Sequence, residues 1–208
     1  MIYNIASEIA AAGKIIRNGG VVVFPAKCLY GLAVDALNPK AVERVFDIKQ
    51  RPVTNPLLVL IDNMNQLDLL VQKIPPIAIC LIKRFWPGNI TLVFNALPNL
   101  SPALTAGTGK IGVRIPGHPI ARELVKQVEI PITGTSANLS GRAGCSDIAL
   151  LDPEISKRVD MILDAGILKG GAGSTVVDVT CDPVKVLREG VVPRVKILEL
   201  LDKQNGFF

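Results

Sequence analysis

Two short segments of the chain carry residue types that can hold a phosphate group. Lys49 and Arg51 place two cations two positions apart, and Ser136, Asn138 and Ser140 alternate small hydrogen-bonding side chains. In extended or loop backbone, side chains two positions apart point to the same side. We therefore expect the two cations to share one face and the three polar groups to share another. Because Arg offers a bidentate fork and Lys a point charge, the two segments together predict an anion site.

Several of these residues also have a plain structural explanation. Lys49 and Arg51 follow a helix that Asn38 begins, and the negative end of a helix tolerates cations at a solvated surface. Arg114 lies in an apolar strand, where an unpaired guanidinium is costly, so it needs either an anionic ligand or a structural carboxylate. His118 lies next to prolines and is interpreted as a loop or cap residue. The residues alone therefore leave a binding site and a structural role both open.

Helical and strand patterns alternate along the chain, which predicts one α/β domain over residues 1–208 with a mixed sheet flanked by helices. The predicted helices are residues 7–18, 39–48, 66–71, 76–85, 120–128 and 193–201. The predicted strands are residues 21–24, 57–61, 90–94, 111–115, 130–135, 161–163, 174–179 and 184–187. A glycine-rich loop is predicted at residues 166–173.

Composition limits the function classes. A net charge of +5 fits either an anionic ligand or simply a mildly basic protein, and its spread along the 208 residues indicates a basic cavity rather than a basic tail. An aromatic content of 4% argues against a platform that stacks single-stranded nucleic acid. Four separated cysteines and one histidine predict no metal site and a reducing, cytoplasmic setting. Residues 1–5 and 74–82 predict neither a signal peptide nor a membrane span.

Common nucleotide and hydrolase motifs do not fit. The segment Gly107-Thr108-Gly109-Lys110 lacks the upstream glycine of a P-loop and the Ser or Thr that must follow its lysine. No G-x-G-x-x-G follows the first predicted strand, and no nucleophile elbow accompanies His118. The sequence therefore indicates neither a P-loop, a dinucleotide-binding motif nor a serine hydrolase site.

Eight segments, in order, resemble the YrdC/Sua5 family in its short single-domain form. They are Pro25 with Tyr30-Gly31-Leu32 and Asp35-Ala36; Lys49-x-Arg51-Pro52 with Asn55-Pro56-Leu57; Phe85-Trp86-Pro87-Gly88 with Thr91; Val113-Arg114-x-Pro116-x-His118-Pro119; Ser136-Ala137-Asn138-x-Ser140-Gly141; Asp164-x-Gly166; Ser174-Thr175-Val176-Val177-Asp178; and Leu187-Arg188-x-Gly190. Each segment is weak alone, but their shared order is specific.

The resemblance implies a twisted YrdC/RibB-like fold around a basic cavity, and an enzyme that joins L-threonine, bicarbonate and ATP into threonylcarbamoyl-AMP and pyrophosphate. Mg²⁺ would accompany ATP, without a tightly bound metal or organic cofactor. A transfer enzyme of tRNA modification would act downstream, and tRNA or double-stranded RNA would be a further partner. Such chemistry depends on alignment and charge neutralisation, so it needs little histidine.

The same resemblance implies residue roles. Catalytic roles fall on Lys49 and Arg51, and the nucleotide would be bound by Lys49, Arg51, Asn55, Ser136, Asn138 and Arg188. The amino-acid end would be formed by Cys28, Arg114 and Ser174.

The chain departs from the family pattern at the amino-acid end. Ala26 and Cys28 replace two family threonines, and Leu60 replaces a usual histidine. Cys28 can act as a weak donor, and Lys27 brings a charge near the mouth of the site. Two alternatives follow: a paralogue with another acceptor, and a non-catalytic module that binds nucleotide, tRNA or double-stranded RNA.

Overall fold

Helices and strands alternate along the chain, as the sequence predicts. The computed structural model describes residues 5–205, with side chains described to residue 202. The helices are α1 (Ile5–Arg17), α2 (Pro39–Lys49), α3 (Pro76–Phe85), α4 (Pro102–Thr105), α5 (Pro119–Val128), α6 (Pro153–Ser156) and α7 (Arg194–Asn205). The strands are β1 (Val22–Pro25), β2 (Tyr30–Ala33), β3 (Leu58–Leu60), β4 (Ile90–Asn95), β5 (Lys110–Arg114), β6 (Ile132–Thr133), β7 (Thr135–Ser136), β8 (Met161–Ile162), β9 (Thr175–Asp178) and β10 (Lys185–Arg188).

The strands form two mixed sheets, whereas the sequence predicted one. The smaller sheet has the order β7-β2-β1-β8, and the larger has the order β10-β9-β4-β5-β3-β6. Strands β6 and β7 are separated by Gly134 alone and belong to different sheets. The chain therefore crosses from one sheet to the other at this glycine.

Gly134 brings the edges of the two sheets into close contact. A Cβ atom at this position would lie 2.8 Å from Cγ of Leu60, so the crossing has no room for a side chain. Its N–H donates to the carbonyl of Leu58 at 2.8 Å. Thr133, one residue earlier, donates its hydroxyl to the carbonyl of Leu32 at 3.2 Å. These bonds fix the junction between the sheets.

Helix α2 begins and ends with clear local signals. The side chain of Asn38 caps its first turn by accepting from two backbone N–H groups, and the proline that follows fits the first helical position. Lys49 is the last helical residue, and Gln50 adopts a left-handed conformation with φ of 48°. The N–H of Arg51 then donates to the carbonyl of Phe46 at 3.0 Å, which ends the helix.

Strand β1 is buried on both faces and supports the loop that follows it. Val23 packs in the cluster around the larger sheet, while Val22 and Phe24 pack in a second cluster formed largely by α1 and α5. All three side chains are fully buried. The hairpin of β1 and β2 is thus a rigid support for its connecting residues 26–29.

Some predicted elements differ from the structure for local reasons. Strand β2 was not predicted, because its run of four residues contains Gly31. Helices α4 and α6 span four residues each, too few for a hydrophobic period. The predicted helix at 66–71 is a 3₁₀-helix, Met64–Leu69.

Two predictions concern membranes and the N-terminus. None of the helices in the described part of the chain is long and apolar enough to cross a membrane. The prediction that residues 1–5 carry no signal sequence falls, except for Ile5, outside the described residues.

Candidate functional site

A cavity of about 330 Å³ lies where the two sheets meet. Its walls come from the β1–β2 hairpin loop, the segment after α2, the Gly134 crossing and the ends of β5 and β10. The last residues of the glycine-rich loop close another side. The two-sheet architecture therefore brings together segments that are far apart in sequence.

The cavity is basic, as the sequence predicts. Four cationic side chains line it: Lys27, Arg51, Arg114 and Arg188. No carboxylate occurs among the described residues of its lining. Positive charge without acidic neighbours favours a polyanionic ligand.

Arg114 is the most informative of these cations. Its residue is only 6% exposed, and its Nε has no hydrogen-bond partner. Burial lowers the pKa of Arg114 to about 10; the charge of Arg188 acts in the same direction, and Cys28 in the opposite one. No ion pair involves Arg114 among the described residues, so the structural-carboxylate explanation is wrong there. A buried, unpaired guanidinium is suited to an anionic ligand.

Arg51 is held at the cavity by backbone carbonyls. Its Nε donates to the carbonyl of Asn55 at 3.2 Å, and its Nη2 donates to that of Pro56 at 3.2 Å. Burial lowers the pKa of Arg51. Two of its five N–H donors are used in this way, so others remain for a ligand. Asn55 itself is exposed and does not line the cavity; its carbonyl contributes by orienting Arg51.

Lys49 lies behind the cavity wall instead of in it. Its residue is 1% exposed, and its ammonium donates to the carbonyls of Ser136 and Asn138 and to Oδ1 of Asn138 at 3.3 Å. These three acceptors use all three ammonium donors. The carbonyl of Lys49 also accepts from the N–H of Ser140 at 2.8 Å. Lys49 thus clamps residues 136–140, here called the polar segment, from both ends.

Burial and the neighbouring cation destabilise the charged form of Lys49. They lower the pKa of Lys49 to about 7, with burial as the larger cause and the charge of Arg51 as the smaller. The expectation that Lys49 and Arg51 share one face is not met at the cavity, because Lys49 is still helical and the chain turns at Gln50.

The polar segment divides its side chains between the cavity and the protein. Ser136 lines the cavity, and its hydroxyl bonds to Oδ1 of Asn138. The amide of Asn138 donates to the carbonyls of Leu139 at 2.9 Å and Arg142 at 2.6 Å, and Asn138 does not line the cavity. Asn138 therefore orients Ser136.

Ser174 and Arg188 form the opposite side of the cavity. The hydroxyl of Ser174 bonds to that of Thr91 at 2.7 Å, and Nη2 of Arg188 donates to the carbonyl of Ser174 at 2.8 Å. Leu60 pairs with Arg114 in the β3–β5 register but is fully buried and does not line the cavity. Leu60 is thus an apolar core residue and not part of the site.

The hairpin loop carries the residues in which the chain departs from the family pattern. Ala26, Lys27 and Cys28 all line the cavity. The carbonyl of Cys28 accepts from the N–H of Gly170 at 3.0 Å, which ties the hairpin to the glycine-rich loop. A methyl group, a cation and a thiol therefore form this wall.

Tyr30 fixes the beginning of the same glycine-rich loop. Its buried hydroxyl donates to the carbonyl of Gly166 at 2.7 Å and accepts from the N–H of Ala165 at 2.9 Å. Burial is the main cause that raises the pKa of Tyr30 to about 12. The loop over the cavity is thus anchored at both Tyr30 and Cys28.

Six of the nine predicted site residues line the cavity, and the other three hold its lining residues in place. The lining residues are Cys28, Arg51, Arg114, Ser136, Ser174 and Arg188. The supporting residues are Lys49, Asn55 and Asn138. Sequence reasoning did not single out Asn89 and Thr135, which also line the cavity. Their adjacency to the Trp-Pro-Gly turn and to Ser136 was the available signal. His118 is the N-cap residue of α5, as expected.

The described side chains do not fit a resident metal ion. The described residues contain no group of three or more His, Cys, Asp or Glu side chains able to hold an ion. Mg²⁺ is usually held by carboxylates together with substrate phosphates, and the described cavity lining has no carboxylate.

The chain is similar to known proteins along most of its length. The family model named Sua5/YciO/YrdC, described as "Telomere recombination", matches residues 14–190. The threonylcarbamoyl-AMP synthase of Pyrococcus abyssi is 38% identical over 199 residues, which cover 96% of this chain and 57% of that protein. The chain thus spans little more than half of this relative.

Solved structures agree with the sequence similarity. The crystal structure of P. abyssi Sua5 complexed with L-threonine matches with a TM-score of 0.90 and 37% identity, covering 94% of this chain and 58% of that one. The crystal structure of E. coli YciO matches with a TM-score of 0.78 and 30% identity, covering 92% and 93% of the two chains.

Proposed function

Because the chain belongs to the Sua5/YciO/YrdC family, we propose that it joins L-threonine, bicarbonate and ATP into threonylcarbamoyl-AMP and releases pyrophosphate. The observation that carries this proposal is the cavity lined by four cations and, among the described residues, no carboxylate. A nucleoside triphosphate and a carbamate are both polyanions, so their charges match this lining. Mg²⁺ would enter with ATP as part of the substrate.

The proposed chemistry needs charge neutralisation more than a dedicated base. The amine of threonine and bicarbonate combine to a carbamate with loss of water, and a carbamate oxygen then attacks the α-phosphorus while the bond to pyrophosphate breaks. Negative charge then develops on the phosphoryl and leaving oxygens, where Arg51 and Arg188 would stabilise it. Ser136 would position a phosphoryl oxygen, and Arg114 would pair with the carboxylate of the amino acid.

Lys49, Asn55 and Asn138 have positioning roles in this proposal. Lys49 and Asn138 hold the polar segment, and the carbonyl of Asn55 holds Arg51. This differs from the expectation that all three touch the nucleotide, since none of them lines the cavity. Arg51 is therefore the proposed catalytic residue of the pair.

The function is tested by incubating the protein with ATP, L-threonine, bicarbonate and Mg²⁺ and measuring pyrophosphate and adenylate. We expect both products in equal amounts, and a fall of about 100-fold or more in rate for Arg51→Met. The exposed Lys40 supplies the control, and Lys40→Met is expected to keep the wild-type rate. An inert protein that binds tRNA in a salt-sensitive way would instead support the non-catalytic module.

A second candidate is the same adenylation with another amino acid as acceptor. It is favoured by Ala26 and Cys28, which place a methyl group and a thiol in the cavity wall. A panel of amino acids offered with ATP and bicarbonate distinguishes the candidates. A product formed faster from another amino acid than from threonine would establish the second candidate.

The proposal also extends to location and partners. A cytoplasmic location is supported by the four free cysteines, which are expected in a reducing compartment. A transfer enzyme of tRNA modification would take up the mixed-anhydride product, because such an adenylate hydrolyses readily in water.

A further inference from the structure

Cys28 exposes a thiol to the basic cavity. It is half-buried in the four-residue loop between β1 and β2, and it lines the cavity beside Lys27. Its backbone is fixed, since its carbonyl accepts from the N–H of Gly170. The other cysteines, Cys80, Cys145 and Cys181, do not line this cavity.

An unpaired arginine lies in the same cavity and independently indicates an anionic ligand. Arg114 is 6% exposed, its Nε lacks a partner, and it lines the same cavity as Cys28. Lys27 and Arg188 add positive charge, and no described lining residue carries a carboxylate to compensate it. The charge of the cavity that Cys28 lines therefore favours small anions.

We propose that Cys28 is a covalent modification site that forms mixed disulfides with small disulfides bearing carboxylates. The Cys28 thiolate attacks one sulfur of the incoming disulfide, a new S–S bond forms, and the other half leaves as a thiolate. The disulfide is the oxidant, so no further reactant is needed. Arg114 pairs with a carboxylate of the attached half, which keeps it in the cavity.

The attached group has a defined consequence for the cavity. A volume of about 330 Å³ is comparable to one small organic ligand, so a mixed disulfide at Cys28 excludes other anions from the space beside Arg114. A free thiol reverses the modification by the same exchange. This property is independent of whether the protein forms an adenylate.

The test compares two disulfides of similar size and opposite charge: the dianion dithiodipropionate and the dication cystamine. Each is mixed with the wild-type protein at low ionic strength, and the modified cysteines are quantified by peptide mass spectrometry. We expect Cys28 to react about tenfold or more faster with the dianion, because the cationic lining concentrates it. High salt should reduce this ratio.

Cys181 is the internal control. Its thiol lies 3.8 Å from the carbonyl of Asp178 and outside the basic cavity, so the preference for the dianion should be absent there. Arg114→Met should lower the rate of the dianion at Cys28 and leave Cys181 unchanged. Equal rates at Cys28, a preference for cystamine, or an unreactive Cys28 in the presence of modified Cys181 would each overturn the proposal. The wild-type comparisons decide the matter by themselves, without the Arg114→Met variant.

Discussion

Replacement of Lys49 by methionine distinguishes two roles for this residue: clamping residues 136–140, or contacting a phosphate directly. Met has a similar length and no charge, so it fills the buried space but cannot donate to Ser136 and Asn138. We expect this variant to fold with nearly wild-type stability, to hold residues 136–140 loosely, and to bind ATP at least about tenfold more weakly, equivalent to about 1.4 kcal/mol.

The expected stability follows from two opposing energies. The pKa of Lys49 falls from 10.5 to about 7, and at about 1.4 kcal/mol per pKa unit the buried ammonium costs about 5 kcal/mol. Its removal strands the two backbone carbonyls, at about 1–3 kcal/mol each. The two terms largely cancel, so the free energy of unfolding at neutral pH should change by no more than about 2 kcal/mol.

The pH dependence of the free energy of unfolding gives a second test of the buried ammonium. Between pH 7 and 10.5 the unfolded lysine holds a proton that the folded one has released. The unfolded state then binds more protons, so wild-type stability should rise with pH across this window. Lys49→Met should lack this rise. Denaturant unfolding at several pH values measures the difference between the two proteins.

Hydrogen exchange of the ligand-free protein decides the role of Lys49. The N–H groups of Asn138 and Ser140 donate to the carbonyls of Ser136 and Lys49, so they should exchange about tenfold or more faster in Lys49→Met. The control Lys40→Met, on the exposed face of the same helix, should show no change. Unchanged exchange together with weaker ATP binding would refute the clamp and assign Lys49 to the phosphates.

Three further perturbations test other parts of the site. Arg114→Met should raise the free energy of unfolding by about 1–3 kcal/mol, because it removes an unpaired buried cation. The same variant should lose the thermal shift that L-threonine causes in the presence of ATP. A variant less stable than the wild type would contradict the first expectation. Tyr30→Phe should speed amide exchange in residues 164–173 by about tenfold or more, since it removes the bonds to Gly166 and Ala165, and unchanged exchange would show that Tyr30 does not anchor the loop. Gly134→Ala should destabilise the protein by about 1–3 kcal/mol in denaturant unfolding, because its Cβ would meet Leu60 at 2.8 Å; a neutral effect would mean that the sheet junction can shift.

Local signals in the sequence predicted most of the fold. The Asn38 cap and the apolar period located α2, and the predicted helix at residues 76–85 matches α3. The division into two sheets could not be predicted, because it depends on the crossing at Gly134 and on contacts with Leu60. Close backbone packing of this kind leaves no periodic pattern.

The sequence predicted which residues belong to the candidate site more accurately than it predicted which of them reach the cavity. Arg51, Arg114 and Arg188 line the cavity as expected. Lys49 was expected beside Arg51, but its direction depends on the left-handed turn at Gln50, a conformation rarely adopted by a residue with a side chain. Thr135 was not predicted to line the cavity, because a threonine that precedes a serine has many ordinary structural roles.

The most direct test of the proposed reaction follows the carbon of bicarbonate. The protein is incubated with ATP, L-threonine, Mg²⁺ and bicarbonate that contains heavy carbon, and the adenylate is identified by mass spectrometry. We predict threonylcarbamoyl-AMP that contains one heavy carbon and appears together with an equal amount of pyrophosphate. An adenylate without the heavy carbon, or no adenylate from a folded protein, would contradict the account.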